Sequence, residues 1–375
     1  MLQHSKFSRP MYLPVLLCFG LGVALCAAAP KVTNTKAKPA ASVPSAPSAA
    51  SAAPSASAVP SGKPGASITI AAGKRGTWSG KQGNVPTPIL AIGSAGNEVF
   101  ATARNTLFHS SNGGADWSVQ AVDFTALSIW SRAPNDVWLS GSKLAHSTDQ
   151  GKTWSVTSPF PKSALVQSLW GTKSGEFYGV GGTSIVYSKD GGKTFTKQTS
   201  GVKGGWLYQV VGSGDEVFVV GKEDKGQQSR SVLLVTKDHG KNWKRLTPPK
   251  SDSEFDVLTN LCFSDTGKMF ATTSYEVYVS ANRGKSWEQI FATDSAEILG
   301  FACRGKEIYV AGRGRNFHHS TDEGKSWNHD ELVPVLTGKA WSSIQAVHIT
   351  EQGDVFAGGE GEYTNSSGSL FRLNR

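Results

Sequence analysis

The stretch Ser147-Thr148-Asp149-Gln150-Gly151-Lys152-Thr153-Trp154 decides how the chain is read. Its pattern, Ser/Thr-x-Asp/Asn-x-Gly-x-x-aromatic, returns at Ser110–Trp117, Ser188–Phe195, Thr236–Trp243, Ser280–Trp287 and Ser320–Trp327, with successive copies 37 to 48 residues apart. One copy is weak evidence; six at this period mark a repeat architecture in which each repeat is one supersecondary unit. The third position (Asn112, Asp149, Asp190, Asp238, Asn282, Asp322) can accept hydrogen bonds from backbone N–H groups just downstream and close a tight turn. The Gly gives that turn its backbone freedom, with φ > 0 expected. The Ser/Thr hydroxyl can bond across the turn. The aromatic starts the next strand and buries a large apolar surface. All six Asp/Asn side chains are therefore read as structural.

A second feature lies between the copies. Glu98-Val99-Phe100, Asp136-Val137-Trp138, Glu176-Phe177-Tyr178, Glu216-Val217-Phe218, Lys268-Met269-Phe270, Glu307-Ile308-Tyr309 and Asp354-Val355-Phe356 align with one another. Each reads as a second strand following a turn. First strands lie upstream at Ala126–Ser131, Gln167–Gly171, Tyr208–Gly212, Thr259–Phe263, Leu299–Cys303 and Gln345–Ile349. Seven second strands predict an all-β, seven-bladed β-propeller of four-stranded blades; six blades would leave one strand unexplained. The ends fit together as well. Gly76-Thr77-Trp78-Ser79 matches the tail of the eight-residue pattern without its head, and Ser369–Leu373 matches the strand that precedes a copy. The last blade is expected to take its outer strand from residues 77–81, which removes an open sheet edge.

The propeller is expected to occupy 67–375. Residues 1–29 read as a secretory signal: basic Lys6 and Arg9, an apolar run from Met11 to Leu25, then Ala27, Ala28 and Ala29. Three outcomes stay open. One is cleavage among the alanines. Another is lipidation of Cys26 in the lipobox-like Val23-Ala24-Leu25-Cys26, where Leu25 departs from the usual small residue. The last is an uncleaved anchor. Each puts the rest of the chain outside the cytoplasm, and any membrane association is expected through the leader or a lipid. Residues 30–66 are Ala, Ser, Pro and Lys, too poor in large apolar side chains to offset chain entropy, and read as a disordered tether. The net charge of +9 is partly theirs: the first 70 residues hold six basic residues and no acidic ones, leaving 32 basic against 29 acidic in the rest. That near balance argues against nucleic-acid binding.

Cys262 and Cys303 sit in the first strands of consecutive repeats. Export allows them to be bridged. Cys262 lies eight residues before Phe270 and Cys303 six before Tyr309, and a one-residue register difference turns a side chain to the other face. A disulfide and two separate buried thiols both remain open.

No phosphate-binding glycine loop, zinc-spaced Cys/His cluster or Gly-x-Ser-x-Gly nucleophile elbow is present. His318 and His319 are adjacent on a strand and point to opposite faces, so they do not ligate one metal together easily. No catalytic, cofactor or metal residue is assigned. Asp123, Asp224, Asp256, Glu297, Glu360 and Glu362 could share one face, but nothing in the sequence selects the pair a glycoside hydrolase needs.

The eight-residue pattern resembles the Asp box, or bacterial neuraminidase repeat, over roughly residues 76–373. The resemblance implies a turn that staples the propeller on the side away from any active site. The Arg-Ile-Pro motif of the six-bladed sialidases is absent. Blade count, spacing, Gly-Lys-Thr-Trp boxes and a leader are similar to the seven-bladed photosystem II stability/assembly factors, which implies a non-enzymatic, exported, monomeric scaffold for a protein partner. The alternative is a carbohydrate-active propeller, hydrolytic or lectin-like, bound to a surface glycan.

In either case the partner is expected on the face opposite the boxes, where the loops between strands two and three and between blades meet. That face should carry Arg104, then Lys222, Asp224, Lys225 and Arg230 from a long loop at 221–231. Arg313, Arg315, Glu360, Glu362 and Tyr363 should join them, with Trp206 and Trp341 at the rim. Arg and aromatic residues on one face are typical of interface hot spots. Trp130 and Trp170 are expected in the core instead.

Overall fold

The computed structural model describes residues 67–70, 78–80, 85–157, 165–251, 256–293, 296–314, 317–330, 343–360 and 367–375. The leader with Cys26, the 30–66 segment, Arg315, Trp341, Glu362 and Tyr363 lie outside them. Within the described residues the chain is all β, folded into seven antiparallel sheets. Each sheet is one blade whose strands follow in chain order from the axis outward.

The first strands are Ile89–Ala95, Ala126–Ala133, Ser168–Gly171, Trp206–Ser213, Asn260–Phe263, Ile298–Arg304 and Ile344–Ile349, in blades 1 to 7. Each touches the first strands of both neighbouring blades, so they close a ring. Blade 7 closes as expected: Trp78 and Ser79 pair with Leu373 and Arg372 outside its third strand, Gly368–Leu373. One strand was not foreseen. Ile68–Thr69 adds to the outside of Asp116–Ala121, giving blade 1 a fifth strand.

The blades pack through their second strands. The aromatic of each seven-fold segment (Phe100, Trp138, Tyr178, Phe218, Phe270, Tyr309, Phe356) is at most 2% exposed. Alternate residues of a second strand face alternate neighbours: Met269 and Ala271 pack toward blade 4, while Val310 of blade 6 meets Val277 of blade 5. The box glycines complete this packing. Gly114, Gly151 and Gly192 lie on Phe356, Phe100 and Trp138 of the preceding blade, and the backbone there has φ of 85°, 79° and 78°. Positive φ and a facing aromatic ring both exclude a side chain.

The boxes share one hydrogen-bond scheme. In the second copy, Ser147 Oγ donates to Asp149 Oδ1 at 2.8 Å and accepts from the Gly151 amide at 2.7 Å. Asp149 Oδ1 accepts from the Thr153 amide at 2.8 Å, and Oδ2 from the Thr153 hydroxyl at 2.6 Å. Asp190, Asp238 and Asp322 repeat the scheme, with Thr194, Asn242 and Ser326 as donors. Those donors hold the three carboxyls down at about 2. Asn112 and Asn282 accept the same amide bond, from Asp116 and Ser286. All six side chains are thus consumed inside their own turns.

Cys262 and Cys303 form a disulfide between blades 5 and 6, with Cα atoms 6.0 Å apart. Cys262 lies opposite Phe270 and Cys303 opposite Ile308, one register step different. Neighbouring blades meet through opposite faces of equivalent sheets. The one-residue offset is therefore what turns the two sulfurs toward each other.

Candidate functional site

Four antiparallel strands alternate direction, so the turns between strands one and two join the boxes on one face. The turns between strands two and three share the other face with the links between blades. On this loop face the blade-to-blade links are tied to the turns of the blade they lead into. Lys143 Nζ reaches Asp123 at 2.6 Å in blade 2. The Lys203 amide donates to Glu223 at 2.9 Å in blade 4. Asp256 accepts from the Ser274 amide at 2.8 Å in blade 5. Arg313 Nε donates to Glu297 at 2.8 Å in blade 6, and Ser343 Oγ donates to Glu360 at 2.9 Å in blade 7. The described carboxylates that sequence offered as a hydrolytic pair, Asp123, Asp224, Asp256, Glu297 and Glu360, are spread over five blades, each with its own partner, Asp224 with Lys222 and Ser229. Burial, partly offset by bonds from Thr273 and Ser274, raises the Asp256 pKa.

Blade 4 breaks this uniformity. Residues 221–231, expected as a loop, are strand: Glu216–Lys225 and Gln228–Thr236 stay paired up to Lys225 and Gln228. Gly226 opens the two-residue turn with φ 65°, the position a type II′ hairpin gives to glycine. The other second strands end within one residue of the level of Gly221. The hairpin thus rises about four residues further, roughly 13 Å at strand rise. Its fourth strand, Lys244–Arg245, pairs only with Leu234 and Val235, well below the tip.

The structure separates the basic residues picked out from sequence. Lys222 is half-buried and bonds Asp224 and Ser229, at 3.1 and 3.3 Å. Arg313 is spent on Glu297. Arg104, Lys225 and Arg230 are exposed and make no ion pair among the described residues. Lys225 and Arg230 share the tall hairpin, while Arg104 stands on blade 1. At the tip, bonds from Ser229 and Lys222 lower the Asp224 pKa, and the Lys203 amide and Arg245 lower that of Glu223. Both carboxylates stay ionised beside the free cations. Trp206 is half-buried opposite Lys222, at the hairpin's inner side. Trp130 packs edge-on to Phe177 at 4.9 Å and Trp170 against Tyr178, both between blades.

Two features escaped the sequence reading. Tyr275, in the blade 5 turn, is the one large apolar side chain strongly exposed among the described residues, at 43%. Burial of its hydroxyl and the nearby Glu297 and Asp256 raise its pKa. The other is a set of bulges. In blades 1, 2, 4, 6 and 7 one residue near the start of the first strand is skipped in the pairing: Leu90, Leu127, Tyr208, Leu299 and Gln345. All five are half-buried at the loop-face end of the inner ring. Burial and the nearby Asp224 push Tyr208 up to about 12.

A family model described as the DUF6242 beta propeller domain matches residues 207–346, and the BNR/Asp-box repeat matches residues 145–156. No curated protein matches the chain. Among solved structures, one described as YCF48 bound to D1 peptide is similar at 20% identity and TM-score 0.61, covering 82% of this chain and 100% of that one. YCF48 from Cyanidioschyzon merolae is similar at 15% identity and TM-score 0.60, covering 79% and 98%. The Niastella koreensis GH74 enzyme, at 15% identity and TM-score 0.53, shares 77% of this chain and 43% of its own. At these identities the likeness is one of fold, and a fold hosts many functions. Six boxes, seven closed blades and these neighbours together make the chain a seven-bladed Asp-box β-propeller, similar to the YCF48 structures and without the sialidase motif.

Proposed function

We propose that the chain is an exported, non-catalytic scaffold that grips an extended segment of a partner protein on its loop face. The blade 4 hairpin carries this reading. Its pairing runs further than that of any other described second strand, it presents Lys225 and Arg230 with no ion pair among the described residues, and it rises from the loop-face end of an inner ring where Leu90, Leu127, Tyr208 and Leu299 are half-buried. Unpaired cations beside half-buried apolar side chains suit a peptide with an acidic group near an apolar one. The YCF48 structure described as bound to a D1 peptide supports the reading, since the two propellers share a fold over the whole of that chain. The dispersal of Asp123, Asp224, Asp256, Glu297 and Glu360 into separate intrablade pairs supports binding over glycoside hydrolysis. Placement in the cell envelope rests on the leader-like N-terminal sequence.

The test is capture from the host envelope with the wild-type protein and with Lys225→Glu/Arg230→Glu, followed by titration of segments from any retained protein. The expected result is one membrane or envelope protein held by the wild type, with affinity for its segment reduced at least tenfold in the variant. Equal retention by both proteins, or retention of glycan without protein, would overturn the reading.

A further inference from the structure

The box face carries an unequal charge distribution that the turns themselves do not require. Blades 3 and 4 supply Lys189, Lys193, Lys197, Lys237, Lys241, Lys244 and Arg245 around their boxes, against the two box carboxylates Asp190 and Asp238. The blade 2 box has Lys152 alone, and the blade 6 box sets Asp322, Glu323 and Asp330 against Lys325. Lys237 pairs with Glu216 and Arg245 with Glu223. The other five ammoniums are exposed and make no ion pair among the described residues.

Three of these lysines, Lys189, Lys197 and Lys241, line a groove of 680 Å³ at the seam of the two blades, together with Tyr187 and Thr196 among others. Its floor is fixed. Tyr187 donates its hydroxyl to Glu176, and His239 Nδ1 lies 2.8 Å from the same carboxylate. Gln198 donates to the His239 carbonyl at 2.8 Å and accepts from Trp243 Nε1 at 3.0 Å. With its proton held by Glu176, Tyr187 offers a ring wall and no nucleophile. Thr196 and Thr199 add exposed hydroxyls along the outer strand. The groove is open to solvent.

We propose that this seam binds an acidic polysaccharide. An aromatic wall, hydroxyls and ammoniums on both banks match a hydroxyl-rich chain bearing periodic carboxylates or sulfates. Like-charged lysines held this close favour a polyanion over a single small anion. The site lies at the box end of blades 3 and 4 and shares no residue with the loop-face site, so each can fail without the other.

The test uses the full protein on immobilised polygalacturonate and dextran sulfate, with neutral dextran, poly-glutamate and phosphatidylglycerol vesicles as comparisons. At physiological ionic strength, retention by either acidic glycan and not by neutral dextran is expected. Lys197→Glu/Lys241→Glu should weaken it at least tenfold. Lys152→Glu, at the equivalent box lysine of blade 2, and Lys225→Glu/Arg230→Glu should leave it unchanged. Equal binding of poly-glutamate or of the vesicles would reduce the seam to a general cation patch and overturn the proposal. So would equal loss in the Lys152→Glu control, or no retention at all.

Discussion

The two faces of this propeller are built on opposite plans. On the box face the Ser/Thr and Asp/Asn of every box are spent, six times over, in the same kind of hydrogen bonds, and in three boxes the side chain between Asp/Asn and Gly reaches the preceding blade. His239 meets Glu176, Arg283 meets Glu216 and Glu323 meets Lys268, at 2.8, 2.5 and 2.6 Å. The last pair inverts the charges of the one before, so each blade is matched to its own neighbour. These residues, with Gln150, sit at φ of 60–63°. That conformation costs a side chain roughly 1–2 kcal/mol. On the loop face the five links whose partners are described each use a different pairing, and the blade 4 hairpin is paired further than any other described second strand. Stability is concentrated on the first face and difference on the second.

The sharpest challenge to that division is reduction of Cys262–Cys303. The bond spans 41 residues and joins inner strands near their box-face ends, so chain entropy predicts a loss of about 4 kcal/mol. Denaturant unfolding with and without reductant measures it, and a negligible change would show the ring closed without it. Next comes Arg283→Ala. It removes the Glu216 pair, a 2.9 Å bond to the Ser213 carbonyl, and contact over the Phe218 and Phe263 rings. We expect a loss of about 2–3 kcal/mol. Ser147→Ala strips the buried Gly151 amide of its acceptor and should cost about 2 kcal/mol. On the loop face, Lys225→Glu/Arg230→Glu should shift stability by no more than about 0.5 kcal/mol. If that double variant unfolds more readily than Ser147→Ala, the contrast between the faces is wrong.

One small change has the opposite sign. Gln150 holds the strained backbone, yet its side chain has no hydrogen-bond partner among the described residues. Gln150→Gly should stabilise by about 0.5–1 kcal/mol, whereas Arg283→Gly should still destabilise.

Acid separates two contributions. Burial pushes His348 from 6.5 down to about 4, where it bonds Ser94 at 2.7 Å across the seam of blades 7 and 1. The folded state resists protonation there, so stability is complete above about pH 6.5 and declines as pH falls toward 4. The box carboxyls, lowered from 3.8 to about 2, contribute fully above about pH 4 and lose that contribution toward pH 2. His348→Gln should flatten the first phase of an acid unfolding curve and leave the second.

The period and the blade count were legible because boxes and second strands use short-range chemistry: a turn, then an aromatic. The closing strand was legible because Trp78 stands in half a box. Ile68–Thr69 is too short to show any alternation. The hairpin was read as a loop because its upper strands are polar on both faces, as a solvated ladder must be. The pairing of Arg313 with Glu297 arises from two loops meeting, and no local pattern encodes it. The cysteine parity was visible, but its meaning depended on which sheet faces meet.

Pairing of Trp78 and Ser79 with Arg372 and Leu373 also sets an order of events. A chain delivered N-terminus first exposes its closing strand long before the segment that pairs with it exists. Blades 2 to 6 can assemble from local contacts while the ring stays open, and the last step must join ends nearly 300 residues apart, the slowest kind of contact to form. We expect the blade 7 signal, reported by Trp78 against Phe317, to trail the remaining tryptophans in a refolding trace. A single phase for all tryptophans would instead make closure concurrent with the rest.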